Sequence, residues 1–427
     1  MATKKNFDLR GYFTGLKTIL AWNPILILLV RMLSMYGSAM KSGIRSMYVV
    51  NDLGLTPTLL GTAVSVFTLC EMIGNVPTGA AADNYRKRIK LFLAFGMACR
   101  AITITLFLAI QDVTTMYIIF ALDGFAAAIT NVLTLAILAL SVDRRVMGSS
   151  YALMIAVQNF FVAYARPMGL RMYENSGMVQ PVLVICGIYI VGAVLALLLR
   201  TGDWGEKLNT VQIKKESKGL KGILSGISPK VIPLAIVLTL PMILYSAENN
   251  YGQLTAEALG FLDDNYLNAV TAGTQLHSIL SLAVGVLVDL VNPYIIITIL
   301  LLGQAAAPLI ASIAPSSGVF SVGIFLAYGT RSYDAALRAM GMKMMSREDQ
   351  GKFSSTMQVF ASLFSLVGAL LLGLIADISG SYRTMWIWVF ALVAIAFVLY
   401  QICERTIFRK MRAAAALESE STVSQDK

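Results

Sequence analysis

Long apolar runs alternate with short polar segments along almost the whole chain, and each run is close to the length of a bilayer-crossing helix. A helix needs roughly 20 mainly apolar residues to cross a ~30 Å hydrocarbon layer. On that measure the pattern predicts about 12 spans, at residues 22–49, 58–80, 89–110, 114–141, 147–173, 178–200, 231–256, 265–288, 293–314, 317–342, 353–378 and 383–404. The polar, basic stretch before the first of these runs straight into it without a cleavage-like site, so no signal peptide is expected. The expected fold class is an all-α membrane protein.

The longest internal polar stretch, residues 201–230, divides these spans six and six. Self-comparison supports the split. Leu53-Gly54 recurs as Leu259-Gly260, Gly79-x-x-x-Asp83 as Gly285-x-x-x-Asp289, and Asp143 as Asp349, every pair at an offset of 206. The organisation this implies is a cytoplasmic N-terminus (1–21), a six-helix bundle (22–200), a cytoplasmic linker (201–230), a second six-helix bundle (231–404) and a cytoplasmic tail (405–427), of which the part from Ala413 onward reads as disordered. Two matched halves joined by a basic linker are the plan of a rocking-bundle secondary transporter.

Charge placement sets the orientation. The cations cluster at Lys4, Lys5, Arg10 and Lys17, at Arg86–Lys90, at Arg144 and Arg145, through 200–230, at Arg347 and Lys352, and at Arg409–Arg412. The opposite loops hold mainly acids: Asp52, Asp112, Glu174, Glu257, Asp263 and Asp264. The positive-inside rule then puts both termini in the cytoplasm. Composition agrees with a membrane protein: 57% of residues are hydrophobic and 14% charged, against about a quarter charged in soluble domains. The net charge of +10 is therefore mostly a topology signal and not a nucleic-acid footprint. The four cysteines all lie inside apolar runs without paired or metal-ligand spacing, which predicts free thiols.

The segment Gly79-Ala80-Ala81-Ala82-Asp83-Asn84-Tyr85-Arg86-Lys87-Arg88, its echo at Gly285 and Asp289, and Gly373-x-x-Ala376-Asp377-x-x-Gly380 resemble the signatures of the major facilitator superfamily. The resemblance runs over essentially the whole chain. It implies two six-helix bundles related by a pseudo-two-fold axis, and a cytoplasmic gate built on Gly79, Asp83, Arg86 and Arg88, with Gly285 and Asp289 as the second copy. In the family the glycine permits close helix contact and the aspartate faces a helix N-terminus, where a carboxylate is favoured by ~0.3–1 kcal/mol. Anchoring to the headgroups is the plainer role for the Arg86–Lys90 cluster. Two departures weaken any likeness to proton-driven drug exporters: the fourth span has Asp123-Gly124 with no arginine upstream, and the fifth has Arg166-Pro167 in place of a Gly-Pro pair.

Ionisable groups at the bilayer centre cost at least ~2.5–3.5 kcal/mol each and usually face a cavity or a partner. Arg31, Ser34, Ser38, Lys41 and Arg45 fall within an arc of about 80° on the first span, the geometry of a cationic stripe lining a cavity for an anion. Arg31 and Arg45 can alternatively snorkel to opposite interfaces. Lys41 and Arg45 are the stronger lining candidates, because Arg31 lies nearer the cytoplasmic side. Gln158, Asn159 and Arg166 on the fifth span, Asn249 and Tyr251 on the seventh, and Arg331 on the tenth complete the candidate cargo site. Glu248-Asn249-Asn250 reads as a polar break like the unwound segments of transporters. Asp334 stands where it can neutralise Arg331 or Arg338 on its own helix, and Arg100 is expected to pair with Asp123. Candidate proton-coupling groups are Glu71, Asp123, Glu248, His277 and Asp334; Glu71 and His277 occupy matching positions at the 206 offset. Ion pairing of Glu71 and simple hydrogen bonding of His277 are the competing readings.

These features predict a secondary transporter of a small organic anion, working by proton symport or anion exchange as a monomer in the lipid bilayer. The alternative is a proton-driven multidrug exporter. No Gly-rich phosphate loop, His-Glu-x-x-His or Gly-x-Ser-x-Gly occurs in the chain, so neither an enzyme nor a cofactor is expected. A transporter-like sensor fits less well, since the linker and tail are short for a signalling domain.

Overall fold

The computed structural model describes residues 19–142, 147–201, 232–290, 292–344 and 350–409. Every regular element among them is helical. In chain order these are α1 (Trp22–Met47), α2 (Pro57–Asn84), α3 (Ile89–Leu106), α4 (Val113–Ser141), α5 (Met147–Ser176), α6 (Val179–Leu197), α7 (Ile232–Thr239), α8 (Met242–Asn250), α9 (Gly252–Ala258), α10 (Asp264–Leu290), α11 (Pro293–Ile313), α12 (Ser317–Gly329), α13 (Tyr333–Met344), α14 (Gln350–Ser379) and α15 (Tyr382–Cys403). Among the described residues 8 helices are long and apolar enough to cross a membrane. All four cysteines are free thiols.

Two predicted spans are interrupted. Pro241 has no N–H to continue the ladder, so α7 ends at Thr239 and α8 starts at Met242. A second break falls at Tyr251, with φ −124° and ψ −11°. Glu248, Asn249 and Asn250, the expected unwound segment, are helical, and Asn250 Nδ2 donates to Ser246 O one turn back at 2.9 Å. The breaks thus flank the polar triplet. The tenth span divides at the tight turn Thr330–Ser332, which carries Arg331.

The chain separates into two compact units. Of the described residues, unit 1 holds 19–45, 66–142 and 147–201, and unit 2 holds 46–65, 232–290, 292–344 and 350–409. In unit 1, α3 packs along α6 and α4. Asp112 caps α4 by accepting from Thr115 N at 2.6 Å, and that bond holds its carboxyl below the usual range. Lys90 Nζ donates to Leu199 O beyond the end of α6 at 3.2 Å, a cation at the helix end that favours one. Helices α2 and α4 approach closely at Gly74 and Gly124: a Cβ at Gly124 would strike the Phe67 carbonyl oxygen. Small residues at such crossings let backbones meet where lipid gives no hydrophobic drive.

In unit 2, α10 and α11 both pack on α12, and α11 packs on α15. A buried cluster of Val284, Ile297, Leu301, Tyr333, Leu337 and Tyr400 joins them. The first turns of α2, residues 57–65, run against α14. Asp377 Oδ2 accepts from Thr58 N at 2.8 Å, Ser65 Oγ donates to Leu366 O at 2.8 Å, and Tyr251 donates its hydroxyl to Ala369 O at 2.6 Å. Gly61 and Gly373 leave the space: a Cβ on either would collide with backbone, of Ala369 and Pro57 respectively. This is what the Gly373, Asp377 and Gly380 spacing builds: a close approach, a carboxylate on a helix N-terminus, and a chain reversal at Gly380 with φ +60°.

Gly61→Ala and Gly124→Ala are expected to cost about 1–3 kcal/mol each through overpacking, read as lower thermal-unfolding midpoints of the detergent-purified protein. Gly318→Ala, where an added Cβ meets nothing within 4 Å, should leave the midpoint unchanged.

Candidate functional site

The polar stripe predicted on α1 faces the interior of unit 1, and each of its cations there meets a different neighbour. Lys41 is 3% exposed and forms an ion pair with Asp123 of α4, itself 1% exposed. Thr103 Oγ1 of α3 donates to the other oxygen of that carboxylate at 3.2 Å. Arg100 of α3 does not pair with Asp123. It donates to Ser34 Oγ at 2.8 Å and to Ser38 Oγ, both on α1, and lies over the Tyr189 ring of α6 at 4.7 Å. Arg45 is buried and stands 5.2 Å over the Phe120 ring. Arg166 of α5 is buried and donates to Ser42 Oγ at 2.8 Å.

One helical stretch nearer the chain start, a second cluster draws on four helices. Arg31 Nε donates to Gln158 Oε1 at 3.0 Å, and Arg31 Nη1 to Asn131 Oδ1 at 2.5 Å. Asn131 Nδ2 donates in turn to Glu71 Oε1 at 2.7 Å, and Gln158 Nε2 to Asn159 Oδ1 at 3.4 Å. Arg31, Glu71, Asn131 and Asn159 are half-buried. The exposure order therefore differs from the sequence expectation: Arg31 is the accessible cation of the stripe, and Lys41 and Arg45 are the buried ones. The reason is that Asp123 and Phe120 on α4 cover the latter pair.

Unit 2 arranges its charges differently. Arg331 pairs with Glu248 of α8, 0% exposed, and its guanidinium is flanked by the Tyr245 and Tyr328 rings at 4.5 and 4.2 Å. Asp334 takes Arg338 on its own helix at 2.9 Å, the intrahelical pairing the spacing allowed. His277 Nδ1 is 3.0 Å from Ser332 Oγ and 3.3 Å from Ser281 Oγ, so it sits among hydroxyls. Asn249 O receives a 3.4 Å bond from Gln253 Nε2, and Tyr251 is 0% exposed with its hydroxyl engaged by main-chain carbonyls. Of the gate motif, a Cβ at Gly79 would meet nothing within 4 Å, so no neighbour here requires a glycine. Arg86 and Arg88 lie in a single tight turn, with Arg88 exposed. The side chains of Asp83 and Asp289 and the surroundings of Gly285 lie outside what is described.

The profile of the Major Facilitator Superfamily matches residues 27–274, more than half of the chain. The chain belongs to the Major Facilitator Superfamily. None of the curated proteins compared matches it. Among solved structures, a point mutant of the nucleoside transporter NupG superposes with a TM-score of 0.69 at 11% identity, over 90% of this chain and 99% of that one. A bacterial homologue of the human lysosomal transporter Spinster, in its inward-facing and unoccupied conformation, superposes with a TM-score of 0.72 at 12% identity, over 92% and 98%. At these identities the likeness is one of fold. The protein is thus a multi-pass membrane protein of a transporter superfamily, and its charged clusters are read on that footing.

Sequence reasoning missed Asn131, Tyr189, Tyr245 and Tyr328. For Asn131 a signal existed: it is the only carboxamide in α4, an otherwise strongly apolar helix. The tyrosines carried none, because an aromatic in a span is ordinarily packing.

The Lys41–Asp123 pair gives a stability prediction. Lys41→Met leaves a buried carboxylate without its cation and should cost about 3–5 kcal/mol, whereas Lys41→Met with Asp123→Leu removes both charges and should recover most of it. Thermal unfolding of the three proteins measures the difference.

Proposed function

We propose that this superfamily member is a secondary transporter that carries a small organic anion across the cytoplasmic membrane by alternating access, driven by proton symport or by exchange for a second anion. Its 12 spans form two six-helix bundles with both chain ends cytoplasmic, and it works as a monomer in the bilayer without a cofactor or a nucleic-acid partner. The observation that carries the choice of cargo is the charge of unit 1. Among its described residues, α1, α3 and α5 hold Arg31, Lys41, Arg45, Arg100 and Arg166 within the spans, and α2 and α4 hold only Glu71 and Asp123 against them. Such an excess of positive charge in low dielectric attracts an anion and repels a cation.

The arrangement of the acids supports the same reading. A cationic-drug exporter needs a carboxylate open to its cargo; Asp123, Glu248 and Asp334 each hold a lysine or arginine, and Glu71 is bonded to Asn131, which also holds Arg31. The anion is assigned to the accessible cluster of Arg31, Gln158 and Asn159, where a guanidinium offers a fork that matches carboxylate or phosphate and the amides add donors. Arg45 and Arg166 contribute field from their buried positions, and the ion-paired Lys41 fixes α1 to α4.

Uptake by purified protein in liposomes tests this, with labelled lactate, succinate and a hexose phosphate set against a cationic dye. Saturable uptake of at least one of the anions, driven by a proton gradient or by internal anion, is the expected result. Arg31→Gln should lower it at least about tenfold, in line with ~1.5–3 kcal/mol for a hydrogen bond to a charged group. Saturable uptake of the dye with none of the anions would sink the assignment.

A further inference from the structure

Glu71 of α2 and Arg31 of α1 share one neutral side chain. Asn131 donates from Nδ2 to the glutamate and accepts at Oδ1 from the arginine. Among the described residues Glu71 makes no ion pair, which sets it apart from Asp123, Glu248 and Asp334. The charged groups facing it from other elements are Arg100 on α3, Asp123 on α4 and Arg31 on α1. Glu71, Asn131 and Arg31 are all half-buried, unlike the sealed Lys41 and Asp123.

We propose that Asn131 is the positioning residue that couples proton uptake at Glu71 to anion capture at Arg31, which makes the protein a proton–anion symporter. The inference rests on the anion reading above and names its coupling ion. An ionised carboxylate only accepts hydrogen bonds, a guanidinium only donates them, and a carboxamide does one from each end. A single orientation of Asn131 therefore satisfies both charged partners. While Glu71 is ionised, its charge lies one amide away from Arg31 and offsets it. When a proton from water binds the carboxylate, the negative charge disappears and the group gains a donor hydrogen. Arg31 is then left with less compensation, and an anion supplies what Glu71 no longer does. Each ligand raises the affinity for the other by the same factor. Leucine in place of Asn131 removes the bonds that hold the two side chains at this separation, and aspartate pairs with Arg31 in place of Glu71.

The test is binding of lactate and succinate to the purified full-length protein at a series of pH values above about 6, where both stay ionised, with proton uptake followed by an indicator dye in weak buffer. For the unaltered protein the dissociation constant should rise by up to about tenfold per pH unit through the Glu71 titration, the slope of one linked proton, and one proton should be taken up per anion. Glu71→Gln should bind tightly at all pH values and take up no proton. Asn131→Leu should bind with most of the pH dependence lost, and Asn131→Gln, which keeps the carboxamide, should regain part of it. If Asn131→Leu yields no folded protein, Asn131→Asp serves: weak binding without pH dependence is expected. Anion binding that is independent of pH in the unaltered protein, or full pH dependence in Glu71→Gln or in the Asn131 variant that folds, overturns the coupling and leaves the anion reading standing. Binding of neither anion by the unaltered protein overturns both.

Discussion

Placing an ammonium or guanidinium group at the centre of a bilayer costs at least ~2.5–3.5 kcal/mol, and unit 1 places several of them on helices that pack together. The rest of its interior is arranged to meet that cost. Asp123 neutralises Lys41, hydroxyls of Ser34 and Ser38 surround Arg100, and aromatic faces cover Arg45 and Arg100. A ring face within about 6 Å is worth more when the cation is desolvated, which suits arginine, the more weakly hydrated of the two cations. Close helix packing serves the same end. With Gly124 against Phe67 and Gly37 against Tyr189, the backbones come near enough for short side chains to reach across.

Unit 2 meets the same cost with fewer charges and more self-contained pairs. Asp334 and Arg338 neutralise each other one turn apart, so that pair needs no partner helix. Arg331 sits in the turn between α12 and α13, where the broken helix lets its guanidinium enter between two tyrosines and still reach Glu248. His277 is served by serines, which neutral imidazole accepts and which add no charge. Glu71 and His277 match at the 206 offset in the sequence, yet their surroundings are unlike: an amide tied to an arginine in one, hydroxyls in the other.

Much of this was legible in the sequence. Apolar runs of bilayer length located the helices, because in hydrocarbon the backbone can satisfy itself only by closing its own hydrogen bonds. The α1 stripe was legible from 100° spacing, and the Asp334–Arg338 pair from i, i+4 spacing. Partners across helices were not. Nothing in the order of residues says that Lys41 meets Asp123 and Arg100 meets serines, since that depends on the rotation of α3 and α4 about their axes. The same applies to exposure: Arg31 looked the poorest lining candidate by its position along α1, and the cover given to Lys41 and Arg45 by α4 reversed the order. The breaks in the seventh span were half legible. Pro241, whose missing N–H makes one of them, lies inside the predicted span 231–256, and the polar triplet expected to be the break is helical, with Asn250 bonded back onto its own helix.

What separates a structural charge from a functional one in this interior is the kind of partner each has. A carboxylate matched by a lysine or arginine is held ionised by its neighbour, and releasing either member leaves the other stranded. Such pairs brace helices and resist change, which is what Asp123 does between α1, α3 and α4. Glu71 has a neutral amide instead. Its charge is stabilised by a dipole that also serves Arg31, so on the proposed coupling protonation leaves Arg31 undercompensated but still bonded to Asn131 and Gln158. On the proposed coupling, the acid that responds to a proton is of this second kind, held among others of the first kind that brace the helices. Unit 1 contains both: Asp123 on α4, and Glu71 on α2, tied to α4 through Asn131.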